Sequence, residues 1–157
     1  MSKRLLLYPF LLGLFSFNTF AQAHIFKVKE GRVKFSSETK QELINAASEE
    51  LIGVMDIEKR IFAFKVSIQT FEGFNSPLQR EHFNENYMES TTFPAATYIG
   101  KIIEDVDLTK EGTYKVRTKG KLKTHGVEQE KIINAVITIK EDEIKIQSDF
   151  IVLLAEH

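Results

Sequence analysis

No cysteine occurs anywhere in the 157 residues. That excludes a disulfide framework, a thiol nucleophile and the lipid-attachment cysteine of a bacterial lipoprotein. Histidine is sparse as well. The four, at positions 24, 82, 125 and 157, form no short-spaced pair such as H-E-x-x-H or H-x-x-x-H, so neither a metal nor another cofactor is expected. There is no Gly-x-Ser-x-Gly elbow to expose a serine nucleophile, and no glycine-rich phosphate loop follows a strand. The adjacent carboxylates Glu49-Glu50 and Glu141/Glu143 lie in charged surface or turn contexts and read as solvated residues rather than an acid/base pair. An excess of basic charge is also missing. Setting aside residues 1–23, which hold Lys3 and Arg4 but no acid, leaves 19 basic against 22 acidic residues. A nucleic-acid partner would call for the opposite balance. Finally there is no internal repeat, no low-complexity tract and no linker rich in Pro, Gly or Ser. The 134 residues that remain are enough for one domain with one core.

What is present begins with a leader. Lys3-Arg4 precedes an almost wholly apolar run over residues 5–17, and Ala21-Gln22-Ala23 fits the small-residue cleavage rule. The apolar run is shorter than the ~20 residues a spanning helix needs. Residues 1–23 are therefore expected to be a signal peptide cleaved after Ala23, with the domain covering 24–157 and the protein periplasmic or secreted.

Period-two alternation dominates the rest, the mark of strands with one buried face. It is clearest over residues 114–123, where Tyr114, Val116, Thr118, Gly120 and Leu122 point one way and Lys115, Arg117, Lys119, Lys121 and Lys123 the other. Residues 60–71 place Phe62, Phe64, Val66 and Ile68 on one side, and Ile144, Ile146, Ser148, Phe150 and Val152 repeat the pattern. With segments 26–35, 51–57, 95–103 and 129–139 this predicts seven strands. Short links favour antiparallel pairing, and a one-sided sheet of this length hides its apolar face by closing or folding over, with a barrel ahead of a sandwich. Residues 38–51 are ambiguous, because Leu43, Ala46, Ala47 and Leu51 are spaced for an amphipathic helix. A helix is predicted more firmly from Ser76, which can cap the first free N–H groups. Pro77 follows at a position where a missing N–H costs nothing, and Gln79 can reach back as in a capping box.

Two segments carry a family pattern. The first runs Arg80-Glu81-His82-Phe83-Asn84-Glu85-Asn86-Tyr87-Met88-Glu89-Ser90 to Phe93-Pro94-Ala95-Ala96-Thr97-Tyr98, a helix with late bulky residues and then an aromatic-Pro step into a strand. The second is Gly120-Lys121-Leu122-Lys123-Thr124-His125-Gly126-Val127. In this order behind a leader, the chain resembles the YceI-like family of exported lipid- or polyisoprenoid-binding proteins over nearly all of residues 26–154. The resemblance implies a mainly β, lipocalin-like antiparallel barrel around an elongated apolar pocket for an isoprenoid chain. It also implies loop and strand rather than helix over 38–51. Family members continue past this chain's last residues, and small closed barrels use about eight strands. The barrel is therefore expected to lack its last strand, leaving a seam whose edge a second copy can pair with to form a homodimer.

From alternation alone, the inward residues Phe62, Phe64, Val66, Tyr98, Tyr114, Leu122 and Phe150, with Phe83, Tyr87 and Met88 of the helix, read as a filled core before a cavity. The resemblance makes them the pocket lining. Gly100 and Gly120, on inward faces of neighbouring strands, leave room for a ligand or a bend. At the mouth stand His82 and Asn84, each either a head-group contact or a surface residue, and His125. The last is expected in a tight turn with Gly126 supplying a positive φ and the imidazole bonding nearby backbone. The outward lysines of residues 115–123 form a solvated ladder with a weak affinity for an anionic membrane surface. The resemblance implies a non-catalytic exported carrier or storage protein for a polyisoprenoid or other long-chain lipid. An enzyme modifying such a lipid, and a solidly packed barrel serving as an interaction module, are the alternatives.

Overall fold

The computed structural model describes residues 24–38, 43–141 and 143–152. The expected leader, 1–23, and the chain end, 153–157, lie outside the described residues. Among the described residues nine strands form: β1 (Ile25–Lys27), β2 (Val33–Glu38), β3 (Leu43–Ser48), β4 (Ile52–Asp56), β5 (Ile61–Ser67), β6 (Ala95–Ile102), β7 (Gly112–Thr124), β8 (Val127–Lys140) and β9 (Glu143–Gln147). Seven make one antiparallel sheet in the order β1-β4-β5-β6-β7-β8-β9, and β2-β3 form a separate hairpin. The sheet is curled nearly into a barrel, with β1 and β9 as its two edges.

Residues 38–51 correct the helical reading. β3 is a strand, as the resemblance implied, with Ile44, Ala46 and Ser48 buried at period two. Its register against β2, from Val33 opposite Ser48 to Glu38 opposite Leu43, supplies backbone partners that an isolated helix of modest propensity cannot match. The strand expected over 26–35 is likewise two pieces. Between β1 and β2 the chain steps aside at Gly31, whose carbonyl accepts from Leu51 N at 3.2 Å and which sits so close to Leu51 that no Cβ would fit.

These interruptions share one cause. β1/β2, β3/β4 and β5 with the short 3₁₀ turn Ile68–Thr70 all break at the same level, and inward parity changes at each break. Ala46 and Ser48 are buried before one break and Met55 after it; Val66 and Ile68 are buried before another and Phe71 after it. A bend line thus crosses three neighbouring strands. It folds the β2-β3 hairpin over one end of the barrel, where Ala47 and Glu72 exchange both backbone hydrogen bonds at 2.8 Å. The core divides accordingly. One cluster gathers around Met55, Phe62, Leu108, Val116 and Ile137, the other around Ala46, Val66, Ile68, Phe71 and Phe83.

The helix α1 (Pro77–His82) begins as the sequence predicts. Ser76 Oγ accepts from Gln79 N at 3.1 Å and Pro77 occupies the first turn. Gln79 reaches back one residue further than a capping box, its Oε1 accepting from Asn75 N at 2.9 Å. The helix then widens into a π turn, Phe83–Tyr87, closed by Met88 N donating to Phe83 O at 2.9 Å. Asn75 Nδ2 donates to Leu43 O at 3.0 Å and Arg80 Nη2 to Gln69 O at 3.1 Å, so the helix is tied to both the hairpin and the end of β5.

Candidate lipid-binding interior

The inner wall is built where β4 to β8 lie side by side. In register across it run Gly53, Phe64, Tyr98, Leu122 and Gln129, and next to them Met55, Phe62, Gly100, Gly120 and Lys131. Phe62 stacks on Phe64 with ring centroids 5.5 Å apart and tilts against Tyr98 at 5.1 Å. The three rings form one layer.

The glycines explain the posture of that layer. A Cβ on Gly53 would fall 2.3 Å from the Phe64 ring, and one on Gly120 2.9 Å from the Tyr98 ring. Each aromatic therefore lies flat along the wall over its glycine neighbour instead of standing across the lumen. The room expected at Gly120 is taken by Tyr98, and bulk added there would also meet the Ile99 carbonyl at 2.6 Å. Tyr98 is held by its hydroxyl, which shares a 2.8 Å hydrogen bond with Thr118 Oγ1 and donates to Lys131 O at 3.3 Å. Thr118 Oγ1 in turn donates to Ile133 O at 3.0 Å. Burial pushes the Tyr98 phenol above its ordinary pKa, and the bond to Thr118 opposes part of that.

The expected lining residues fall into three groups. Phe62, Val66, Leu122 and Phe83 are buried; Phe64, Tyr98, Tyr114 and Met88 are half-buried against the two clusters. Tyr87 and Phe150 are instead 53% and 51% exposed. Phe150 lies beyond β9, which ends at Gln147, short of the expected Val152. As an edge strand, β9 has only β8 to pair with among the described residues. Phe64 stands between two buried residues of its own strand and yet keeps accessible surface, at the level where one cluster gives way to the other.

At the helix end, Phe83 stacks on Phe35 at 5.1 Å and meets Phe74 at 5.1 Å and Phe71 at 6.1 Å. Sequence reasoning did not place Phe35, Phe71 or Phe74 in the site. Phe35 was visible as an apolar strand position, whereas Phe71 follows the parity change and Phe74 lies in a loop. Of the residues expected at the mouth, His82 is exposed. Asn84 is half-buried, and its Nδ2 donates to Arg80 O at 2.9 Å while its Oδ1 is buried without a hydrogen-bond partner.

His125 corrects one expectation. It and Gly126 both have positive φ, 47° and 76°, forming the two-residue hairpin between β7 and β8. Its Nε2, however, bonds the Glu89 carboxylate at 2.8 Å rather than backbone, and its ring meets Phe93 edge-on at 5.0 Å. Phe93 also crowds Gly126, where a Cβ would come within 2.5 Å of its ring. The two segments that carry the family pattern thus meet in space, the turn after the helix clasping the tip of the β7-β8 hairpin.

Two concavities lie on the outside among the described residues. One of about 330 Å³ lies beside Ile61, Ile99 and Lys101, and one of about 320 Å³ beside Glu50, Glu72 and Arg80. Among the described residues no group of three or more His, Asp or Glu is placed to hold a metal, and no helix is long and apolar enough to cross a membrane.

No family model matches the chain, and no curated protein matches it. Solved structures do. A polyisoprenoid-binding domain from Saccharophagus degradans, implicated in plant cell wall breakdown, superposes with a TM-score of 0.64 at 14% identity, covering 82% of this chain and 76% of that one. A Campylobacter jejuni YceI protein matches at 14% identity over 87% of this chain and 69% of that one, with a TM-score of 0.41, too low to add to the argument. The chain therefore shares its fold with that domain, an antiparallel sheet curled nearly into a barrel, as the sequence resemblance implied.

Proposed function

We propose that the protein is an exported, non-catalytic carrier whose barrel takes up an isoprenoid or similar long-chain amphiphile, tail inward. The observation that carries this reading is the posture of Phe64 and Tyr98, laid flat over Gly53 and Gly120. They line the wall with ring faces at the level where one core cluster gives way to the other. A tail enters there by parting side chains, with no backbone hydrogen bond broken. Each buried CH₂ contributes ~0.8 kcal/mol, so a long tail offsets the packing it displaces without a charged anchor. The orphaned Asn84 Oδ1 is an acceptor for a head group that donates, such as an alcohol. The match to a polyisoprenoid-binding domain supports the same ligand class.

Native mass spectrometry of protein purified without detergent tests the proposal. The expected result is an adduct with the mass of a long-chain lipid that solvent extraction removes, on a chain that begins at His24. A lipid-free chain that stays lipid-free after incubation with isoprenoid alcohols identifies a packed interaction module, and turnover of the added lipid identifies an enzyme.

A further inference from the structure

The outward face of the sheet carries an arrangement that ligand binding inside the barrel leaves unused. Ile52, Val54, Ile61 and Ile99 are exposed by 61%, 41%, 46% and 55%. They lie on three adjacent strands, β4, β5 and β6, and Val54, Ala63 and Ile99 follow one another in a single cross-strand row. Each of the four has a lysine as its direct cross-strand partner. Ile52 faces Lys65, Val54 faces Lys27, Ile61 faces Lys101 and Ile99 faces Lys121. At one border Lys121 and Lys119 are engaged by Glu128 and Glu130 at 2.8 and 2.9 Å. Lys27, Lys65 and Lys101 have no ion pair among the described residues. Where Gly100 and Gly120 oppose each other, the face is dented by the concavity of about 330 Å³ floored with Ile61 and Ile99.

Single exposed aliphatics are ordinary; a contiguous strip of them alternating with uncompensated lysines is not. A lysine stem can lie along the neighbouring isoleucine and bend its ammonium aside toward water, so that the aliphatic groups reach deepest and the charges stay at a shallower level. That layering matches the boundary of a bilayer, where acyl chains lie beneath phosphates. It does not match a second copy of the same face, which would set Lys27, Lys65 and Lys101 against their own counterparts.

We propose that this outer face docks the protein peripherally on an anionic phospholipid bilayer. The docking is independent of what fills the barrel, since none of these side chains belongs to either core cluster. A lysine near such a surface contributes about 1 kcal/mol, roughly fivefold in partitioning. Removing two should weaken it roughly thirtyfold, and reversing them further. The test is co-sedimentation of the purified chain with vesicles of phosphatidylcholine alone or mixed equally with phosphatidylglycerol, at low and high salt. The expected result is sedimentation with the mixed vesicles only, and release as salt shortens the screening length from ~10 Å at 0.1 M to ~3 Å at 1 M. Lys65→Glu with Lys101→Glu should lower partitioning at least thirtyfold. Ile61→Ser with Ile99→Ser, at exposed positions, should lower it with an unchanged circular dichroism spectrum. Protein that remains in the supernatant with both vesicles overturns the proposal, as do variants that sediment like the parent. So does a dimer in gel filtration that Ile99→Ser dissolves, which would make this face a contact between copies.

Discussion

Shortening the tail of a bound isoprenoid alcohol by one isoprene unit is expected to weaken its binding by up to about a thousandfold, for as long as the longer tail still lies wholly inside the barrel. At ~0.8 kcal/mol for each buried carbon the unit contributes about 4 kcal/mol when fully covered, and each 1.4 kcal/mol is a factor of ten. The wall explains why tail length should dominate. Its accessible inward surface is ring face, from Phe64 and Tyr98, backed by the buried Leu122, and its polar atoms are already engaged. Tyr98 is committed to Thr118 and Lys131, and Thr118 to Ile133. A displacement titration with a fluorescent isoprenoid analogue across a chain-length series reads the slope directly. An affinity that follows head group and ignores tail length would contradict an interior site.

Phe83→Ala is expected to cost about 3–5 kcal/mol of folding stability, the usual range for removing a buried phenyl ring. That is a large share of the ~5–15 kcal/mol that holds a domain together. Phe83 is 7% exposed and is the one helical-segment residue in ring contact with Phe35, Phe71 and Phe74 together. The hydrogen bonds from Asn75 and Arg80 pin it to Leu43 and Gln69, and the ring fixes its far end. Urea unfolding gives the stability loss, and stopped-flow release of the same fluorescent analogue should quicken in parallel. A loss below about 1 kcal/mol with unchanged release would mean that the helix is not fastened to the barrel through this residue.

The sequence displays the parts of this fold whose pattern is local and uninterrupted. β7 alternates without a break, and its buried Val116, Thr118, Gly120 and Leu122 are the residues that the period-two reading points inward. The start of α1 is legible for the same reason, since Ser76 and Pro77 act within one turn. The bend line is not legible. It reverses parity between Ile68 and Phe71, and again between Ser48 and Met55, at places where the chain offers no proline and only Gly31 and Gly53 as markers. In β3 the inward side chains at Ala46 and Ser48 are small, so the strand period is faint and Leu43, Ala46, Ala47 and Leu51 imitate a helical face. Backbone pairing with β2 and with Glu72 decides the matter. The clasp of Glu89 on His125 joins residues 36 apart in sequence, and nothing local at His125 announces that its partner is a carboxylate. Within the interior, alternation gives the identities of the wall residues. The flat posture of Phe64 and Tyr98 depends on glycines in the neighbouring strands, and so on register.

The edges at β1 and β9 have a mechanical meaning. In a ring of strands closed by hydrogen bonds, circumference is quantised: it changes only by a whole strand. Among the described residues this sheet pairs from β1 round to β9 and no further, so its girth is a continuous variable set by how side chains meet across the lumen. On the carrier reading proposed above, thicker and thinner guests would be gripped by the same sequence, as a split collar grips shafts of different diameter, with no backbone hydrogen bond traded in either case.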